Sequence, residues 1–375
     1  MSTIFDDFFT DLEDPRKHEN KIEYSLKDIL VMAILAVIGG CDGWEEIELW
    51  CRYRESLFLK LLKTNKIPAH DTFRRVFTLL SADKFEYCFA KVISHVTSGK
   101  EEVIRDIIAL DGKSLRGSKR NITNTTALHI VNAWSIKHGM VLGQKQVDKK
   151  SNEIKAIPEL LDILDVENHV ITIDAGGTQK KIASKIMDQK GDYILALKAN
   201  HRKAHEEVIN YFNDKILSKD VKPDYDKFDG QDHNRIERRR YFMVPATNFS
   251  QLSEWQGIEK VVALESTRSE KGKAGKASTQ IRYYITSCKD NNASIASYIR
   301  DHWHIENKLH WSLDVSFRED ENRSTNDNAA VNLSILRKIA VNALRNEKSF
   351  KKSVPLKRRK AGMDDEYLEK IIRFE

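Results

Sequence analysis

Two apolar runs in this chain each end on an aspartate: IIALDGK carries Asp111 and VITIDAGG carries Asp174. A carboxylate set just beyond a buried strand is costly unless something compensates it. Two such carboxylates brought to one edge form a set of hard oxygen donors, which suits Mg²⁺ better than Zn²⁺. Taken singly, each aspartate also reads as a turn former, because a glycine follows within two positions. Taken jointly, at matching places in successive strands, they read more strongly as a site.

A third carboxylate stands in HWHIENKLHW, His302 to Trp311. On an α-helix His302, Glu306 and His310 fall at i, i+4 and i+8 and share one face. A zinc site on the two histidines fails on distance, since two helical turns span about 12 Å. An aromatic seam accounts for Trp303 and Trp311 but not for a glutamate in the middle of that face. The consistent assignment joins Glu306 to Asp111 and Asp174 and sets His302 and His310 against phosphate or scissile-strand oxygens. Three carboxylates around two Mg²⁺ ions suit phosphodiester chemistry. One ion activates an attacking water or 3′-hydroxyl and the other stabilises the leaving oxygen, at a separation of about 3.5–4 Å.

The elements that must position these residues follow from the pattern. VIRDIIALDGK reads as a strand, and TALHIVNAWSIKHG with MVLGQKQV as a hairpin turning at His138-Gly139. IPELLDIL reads as a short helix with Pro158 in its first turn. HVITIDAGG and DYILALKAN are strands on either side of the amphipathic helix TQKKIASKIMDQKG. The order βββαβαβ is that of a ribonuclease H-like sheet, in which the first and fourth strands are neighbours, so the two aspartates converge. From about 200 to 287 the chain turns polar and loop-rich, with strands at RRRYFMVP, VVALESTR and IRYYITS. That span predicts a β-rich insertion, followed by one helix over about 294–313 that carries Glu306. Ahead of the sheet, Ser25 and Asp28 make a capping-box pattern before ILVMAILAVIGG, and several short helices follow. A DNA-binding bundle and a packing bundle fit those helices equally.

The fold class is therefore α/β. A small all-helical N-terminal domain (1–100) precedes a ribonuclease H-like catalytic core (101–345) with its insertion at about 200–287, and a basic C-terminal tail (346–375) follows. The chain has 375 residues, 41% hydrophobic and 31% charged, as in a soluble globular protein. Its longest apolar run is too short for a bilayer, which takes about 20 residues, so no membrane is expected. Four scattered cysteines without a CxxC pair fit a reduced cytoplasmic protein without structural zinc. The net charge of +6 tilts toward a polyanionic partner. KSLRGSKR and RIERRR are cation-rich, and from Arg337 to Lys360 there are ten Lys or Arg and one acid. Such runs are ordinarily solvated faces, but near a nuclease-type site they serve equally as phosphate contacts.

DGKSLRGS, SNEIKAIPELLDIL, ITIDAGGTQKKIASKI, DYILALKANH, HNRIERRRY and RDHWHIENKLHWSLDVSFRED together resemble the motif series of the H-repeat-associated, ISAs-type insertion-sequence transposases. DPRKHENKIEYSL and IPAHDTFRRVF resemble the N-terminal region of the same family. The resemblance implies a DDE transposase with the triad Asp111, Asp174 and Glu306, using Mg²⁺, with Mn²⁺ as a substitute. It implies cleavage of element ends and strand transfer into target DNA. Its partners would be the terminal inverted repeats, the target DNA and a second copy of the chain, in the bacterial cytoplasm. The expected DNA contacts are Lys113, Arg116, Lys198, Arg235, Arg238, Arg239, His302 and His310. Two alternatives stay open: a nuclease of the same fold without strand transfer, and a non-catalytic DNA-end-binding protein.

Overall fold

The computed structural model describes residues 9, 12–17, 22–98, 105–119, 127–148, 152–217, 222–232, 235–270, 277–324 and 327–373. In chain order the elements begin with helices α1 (Leu26–Ile38), α2 (Trp44–Arg52), α3 (Glu55–Leu62), α4 (His70–Leu79) and α5 (Ala82–Ser98). Next come β1 (Ile107–Leu115), β2 (Leu128–Ser135), β3 (Met140–Val147), α6 (Glu153–Leu161), β4 (Val170–Ile173), α7 (Lys180–Asp188) and β5 (Asp192–Leu197). Then follow α8 (Arg202–Leu217), β6 (Tyr225–Asp232), β7 (Arg235–Pro245), β8 (Lys260–Glu270), β9 (Ser278–Thr286) and α9 (Asn292–Asp301). A π-helix (Ile305–His310) leads into α10 (Trp311–Phe317), α11 (Asp327–Asn346), α12 (Val354–Ala361) and α13 (Asp365–Ile372). No helix among the described residues is long and apolar enough to cross a membrane.

The chain divides into two compact units. One comprises Met1–Glu102, Gly112–Asp165 and His304–Glu375, the other Val103–Asp111 and Val166–Trp303. Strand β1 runs through both. In the second unit the order is β1-β4-β5-β9-β8-β7-β6. Strands β1, β4 and β5 are parallel, and β9 pairs antiparallel with β5. In the first unit β2 and β3 form an antiparallel hairpin whose turn closes on Gly139 at φ +63°, a conformation that favours glycine. Strand order β3-β2-β1-β4-β5 is that of a ribonuclease H-like sheet.

Within the first unit, α1 is apolar on all sides, and every residue from Ile29 to Ile38 is buried. Its main partner is α11, which also packs on α4, α5 and β3. The N-terminal helices therefore share a core with a C-terminal one. Where the sequence suggests a basic tail, the chain forms α12 and α13, and Lys357 and Arg358 are buried. Arg358 donates to Val37 O at 3.1 Å, Cys41 O at 2.9 Å and Asp42 Oδ1 at 2.7 Å. Those carbonyls lie at the end of α1 and just beyond it, so a buried guanidinium caps that helix.

Within the second unit, the expected insertion opens with a helix, α8, and only then turns to β-structure. Its strands continue the β1-β4-β5 sheet instead of forming a separate body. The single helix expected over 294–313 is also interrupted. After α9 the chain makes a turn at His302–Trp303 and re-enters helix with π geometry. The helix expected at IPELLDIL starts earlier, at Glu153, so Pro158 lies inside it.

A buried charge network ties the first unit together. Glu319 is 1% exposed. Its Oε1 accepts from Ser334 at 2.8 Å, and its Oε2 lies 3.2 Å from Lys113 Nζ. Lys338, also buried, donates to Ser334 Oγ at 2.6 Å and to Gln144 of β3. Burial alone pushes the Glu319 carboxyl up, but Lys338, Lys113 and Arg337 outweigh it and hold the group at about 2. Removing one partner of such a set leaves an uncompensated buried charge. We expect Lys338→Met to destabilise the protein by about 3 kcal/mol in urea titrations, and Lys338→Met/Glu319→Gln to recover much of that loss. Because the folded group sits below its ordinary 4.5, its contribution is present above about pH 4.5 and disappears as pH falls toward 2. The wild-type unfolding midpoint should track that window, and Glu319→Gln should flatten it.

Candidate active site

The geometry begins with register. Leu110 of β1 is the parallel partner of Ile173 of β4, and Ile173 is the partner of Leu195 of β5. One step further along the first two strands stand Asp111 and Asp174, on chains about 4.8 Å apart. Both are half-buried. Asp174 falls just past its strand, as its sequence implies. Asp111 does not, because β1 continues to Leu115 and only its apolar stretch ends at Leu110.

The turn after β4 is fastened from several sides. Asp174 Oδ1 accepts from the Gly176 amide at 3.0 Å. The Thr178 hydroxyl lies 3.0 Å from Asp174 O and 2.7 Å from Ala196 O. Asn200 donates to Ala175 O at 2.8 Å, and the His201 ring meets Thr178 O at 2.8 Å. The DAGGTQ loop is thus tied to the end of β5, which limits the motion of Asp174.

Helix α9 covers one face of this sheet. Its Ile295, Ala296 and Ile299 pack in a cluster with Val170 and Ile194. One pleat beyond Val170, Thr172 Oγ1 lies 2.9 Å from Nδ1 of His302, the residue that ends α9. Burial pushes the His302 imidazole down to about 4, so it is neutral at physiological pH. His302 therefore pins the end of α9 to β4 as an uncharged group. Trp303 is half-buried, with the Arg282 guanidinium 4.7 Å from its ring centroid.

Glu306 is exposed on the π-helix, whose buried residues are Ile305 and Leu309. The Trp311 N–H donates to Glu306 O, five residues back, which is the wide π turn. The single regular helix on which His302, Glu306 and His310 were expected to share a face is interrupted by the turn and by the π geometry. Nor is there a double tryptophan seam, since Trp311 is 54% exposed. Among the described residues, no group of three or more His, Cys, Asp or Glu stands ready to hold a metal ion. Asp111 and Asp174 lie side by side in the second unit, and Glu306 belongs to the first.

The family called DDE_Tnp_1-associated matches residues 7–93, and the Transposase DDE domain family matches residues 104–343. This chain belongs to the DDE transposases. It is 40% identical to the Escherichia coli K12 protein named "H repeat-associated putative transposase YhhI", over 94% of this chain and 93% of that one. It is 38% identical to "Putative transposase YncI" of Escherichia coli O157:H7, over 98% of this chain and 93% of that protein. Among solved structures, a piggyBac transposase synaptic complex with hairpin DNA aligns with a TM-score of 0.43 and 13% identity, covering 99% of this chain and 80% of that one.

Within this transposase the cations expected to meet DNA are placed very differently. Arg116 and Lys198 are exposed, and Lys198 directly follows β5. Lys113 is buried, with its ammonium 2.7 Å from Asp314 and 3.2 Å from both Glu319 and Asp320, so it serves the network and not a ligand. Arg238 and Arg239 are neighbours in β7 and point to opposite faces, so they cannot act as one patch. Arg238 is exposed and holds Asp226 with two nitrogens. Arg239 is buried beside Glu237 at 2.5 Å, and burial together with the nearby Arg300 lowers it to about 10. The side chain of Arg235 lies outside the described residues, and His310 is half-buried.

Sequence reading missed one hydrogen-bonded chain near β1. Ser114 Oγ lies 3.0 Å from His129 Nδ1, and His129 Nε2 lies 2.6 Å from Glu153 Oε1. Gly112 makes room for it, since a Cβ there would stand 2.0 Å from Glu153 Oε1. The signal was present in DGKS, LHI and SNEI, but nothing in the spacing says that they meet.

The depressed His302 carries its own test. A histidine that titrates lower when folded contributes stability above its ordinary 6.5, and that contribution is lost as pH falls toward 4. Wild-type protein should lose melting temperature between about pH 7 and about pH 5, and His302→Gln should lose less over the same interval. Equal losses in both would remove the buried-neutral assignment.

Proposed function

We propose that this transposase cleaves the ends of its element and joins them to target DNA at a site built on Asp111 and Asp174, with Glu306 as the third carboxylate. The observation that carries the reading is that Asp111 and Asp174 each stand one step beyond the last paired residues, Leu110 and Ile173, of two adjacent parallel strands. Two half-buried carboxylates at strand spacing repel each other unless a cation lies between them. Their hard oxygens fit a divalent ion such as Mg²⁺ or Mn²⁺ and offer nothing to a thiophilic one. When bound, such an ion lowers the pKa of an attacking hydroxyl and steadies the leaving oxygen.

The chain's own residues do the rest. Asp111 and Asp174 set the negative edge, and the Gly176 amide and Thr178 hydroxyl keep Asp174 from swinging away. Lys198, exposed beyond β5, offers a cation for a phosphate at that edge. A second copy of the chain would bring the other element end. The families matched and the names of the relatives support the transposase assignment, and the register pair supports the roles of the aspartates.

The test uses purified protein, a labelled duplex carrying the element end, and Mg²⁺, Mn²⁺, Ca²⁺ or a chelator. Cleaved and joined products should form with Mg²⁺ or Mn²⁺, with binding but little cleavage in Ca²⁺. Asp174→Asn and Glu306→Gln should each drop cleavage to background while leaving DNA binding and melting temperature near wild type. Full activity in chelator, or normal cutting by Glu306→Gln, would overturn the three-carboxylate reading. Cleavage without joined products would favour the nuclease alternative.

A further inference from the structure

A cleft of about 810 Å³ opens in the first unit. Arg116 and Lys119 line it on one side and Arg318 and Arg323 on the other, with Arg337 among the lining residues. The two sides meet where Gly117 abuts the segment after α10, since a Cβ on Gly117 would stand 2.3 Å from Asn322 O and 2.7 Å from Asp320 O. The acids in the cleft are already engaged. Asp42 accepts from Arg358 at 2.7 Å, and Glu46 accepts from the Asp42 amide at 2.6 Å. Glu321 accepts from Arg318 at 2.8 Å, and Asp320 lies 3.2 Å from Lys113.

That leaves cationic capacity over. Lys119 and Arg323 are exposed and make no ion pair among the described residues. Arg337 is 2% exposed and donates through Nη2 to Asp42 O at 3.2 Å, yet its Nε has no hydrogen-bond partner. A buried donor left unsatisfied costs about 1–3 kcal/mol, so such a group points to a missing acceptor.

We propose that this cleft binds the sugar-phosphate backbone of a DNA strand, with phosphates held by Lys119 and Arg323 and an acceptor oxygen supplied to Arg337. The proposal rests on the transposase reading. Cations on two facing segments suit a strand passing between them better than a single anion. The contact is to backbone and not to bases, so it adds affinity without sequence preference.

The test measures binding of a labelled random-sequence duplex at several salt concentrations. Lys119→Ala/Arg323→Ala changes exposed side chains only and should keep its melting temperature. Each phosphate contact contributes about 0.9 to the slope of log K against log salt, so the double variant should be shallower by about 1.8. A slope equal to wild type overturns this cleft while leaving the transposase reading intact. Wild-type protein that binds no DNA overturns both. As a second arm, inorganic phosphate at the same phosphate concentration should compete poorly with an unlabelled duplex. Equal competition would make the cleft a free-anion site and overturn the strand assignment.

Discussion

The parallel pairing of β1 with β4 is the constraint on which the candidate site depends. Leu110 opposite Ile173 places Asp111 and Asp174 side by side. A slip of one residue would separate the two carboxylates and turn one of them to the other face. Burial holds the register. Ile108, Ala109 and Leu110 of β1, and all four residues of β4, are buried, so a slip would expose a whole apolar set. The placement of the two aspartates is thus secured by packing well behind them.

A second layer of control is polar. Thr172 stands in the middle of β4, fully covered, and gives the sheet one hydroxyl at which the end of α9 can be fixed. An apolar residue there would pack but would not define where α9 stops. A neutral imidazole suits the place because a charged one would be costly to desolvate. In the first unit Arg358 does comparable work at the end of α1, where it binds the Val37 and Cys41 carbonyls.

The sheet was legible in the sequence because its strands are apolar runs bounded by turn residues. So were the two aspartates, whose positions depend only on where those runs end. Helix α8 was not, because RKAHEEVINYFNDKIL is charged and sits in a polar stretch that resembles loop. Strand β6 was not either: YDKFDGQD carries the acids and glycine that suit an edge strand and disguise it. The π turn at Ile305–His310 has no residue signature, so a regular helix was the natural expectation. Burial of Lys113 was hidden because its acidic partners, Asp314, Glu319 and Asp320, lie some two hundred residues away.

That last point alters how the charge of this chain should be read. A net charge of +6 and several basic runs invite the idea of a broad basic surface. Yet Lys113, Arg239, Arg337, Lys338, Lys357 and Arg358 are all buried, and each is a donor inside the fold. Arg238 is exposed but chelates Asp226. The runs KSLRGSKR, RIERRR and KSVPLKRRK therefore split residue by residue between structure and surface. In the first of them, Lys113 belongs to the core while Arg116 and Lys119 reach the solvent. On the proposed reading, the phosphate contacts within these runs fall to the cations that remain exposed. On that reading their placement depends on features that are not basic at all: a glycine that lets two segments touch, a strand that ends at Leu197, and a buried acid that holds Lys113 in the core.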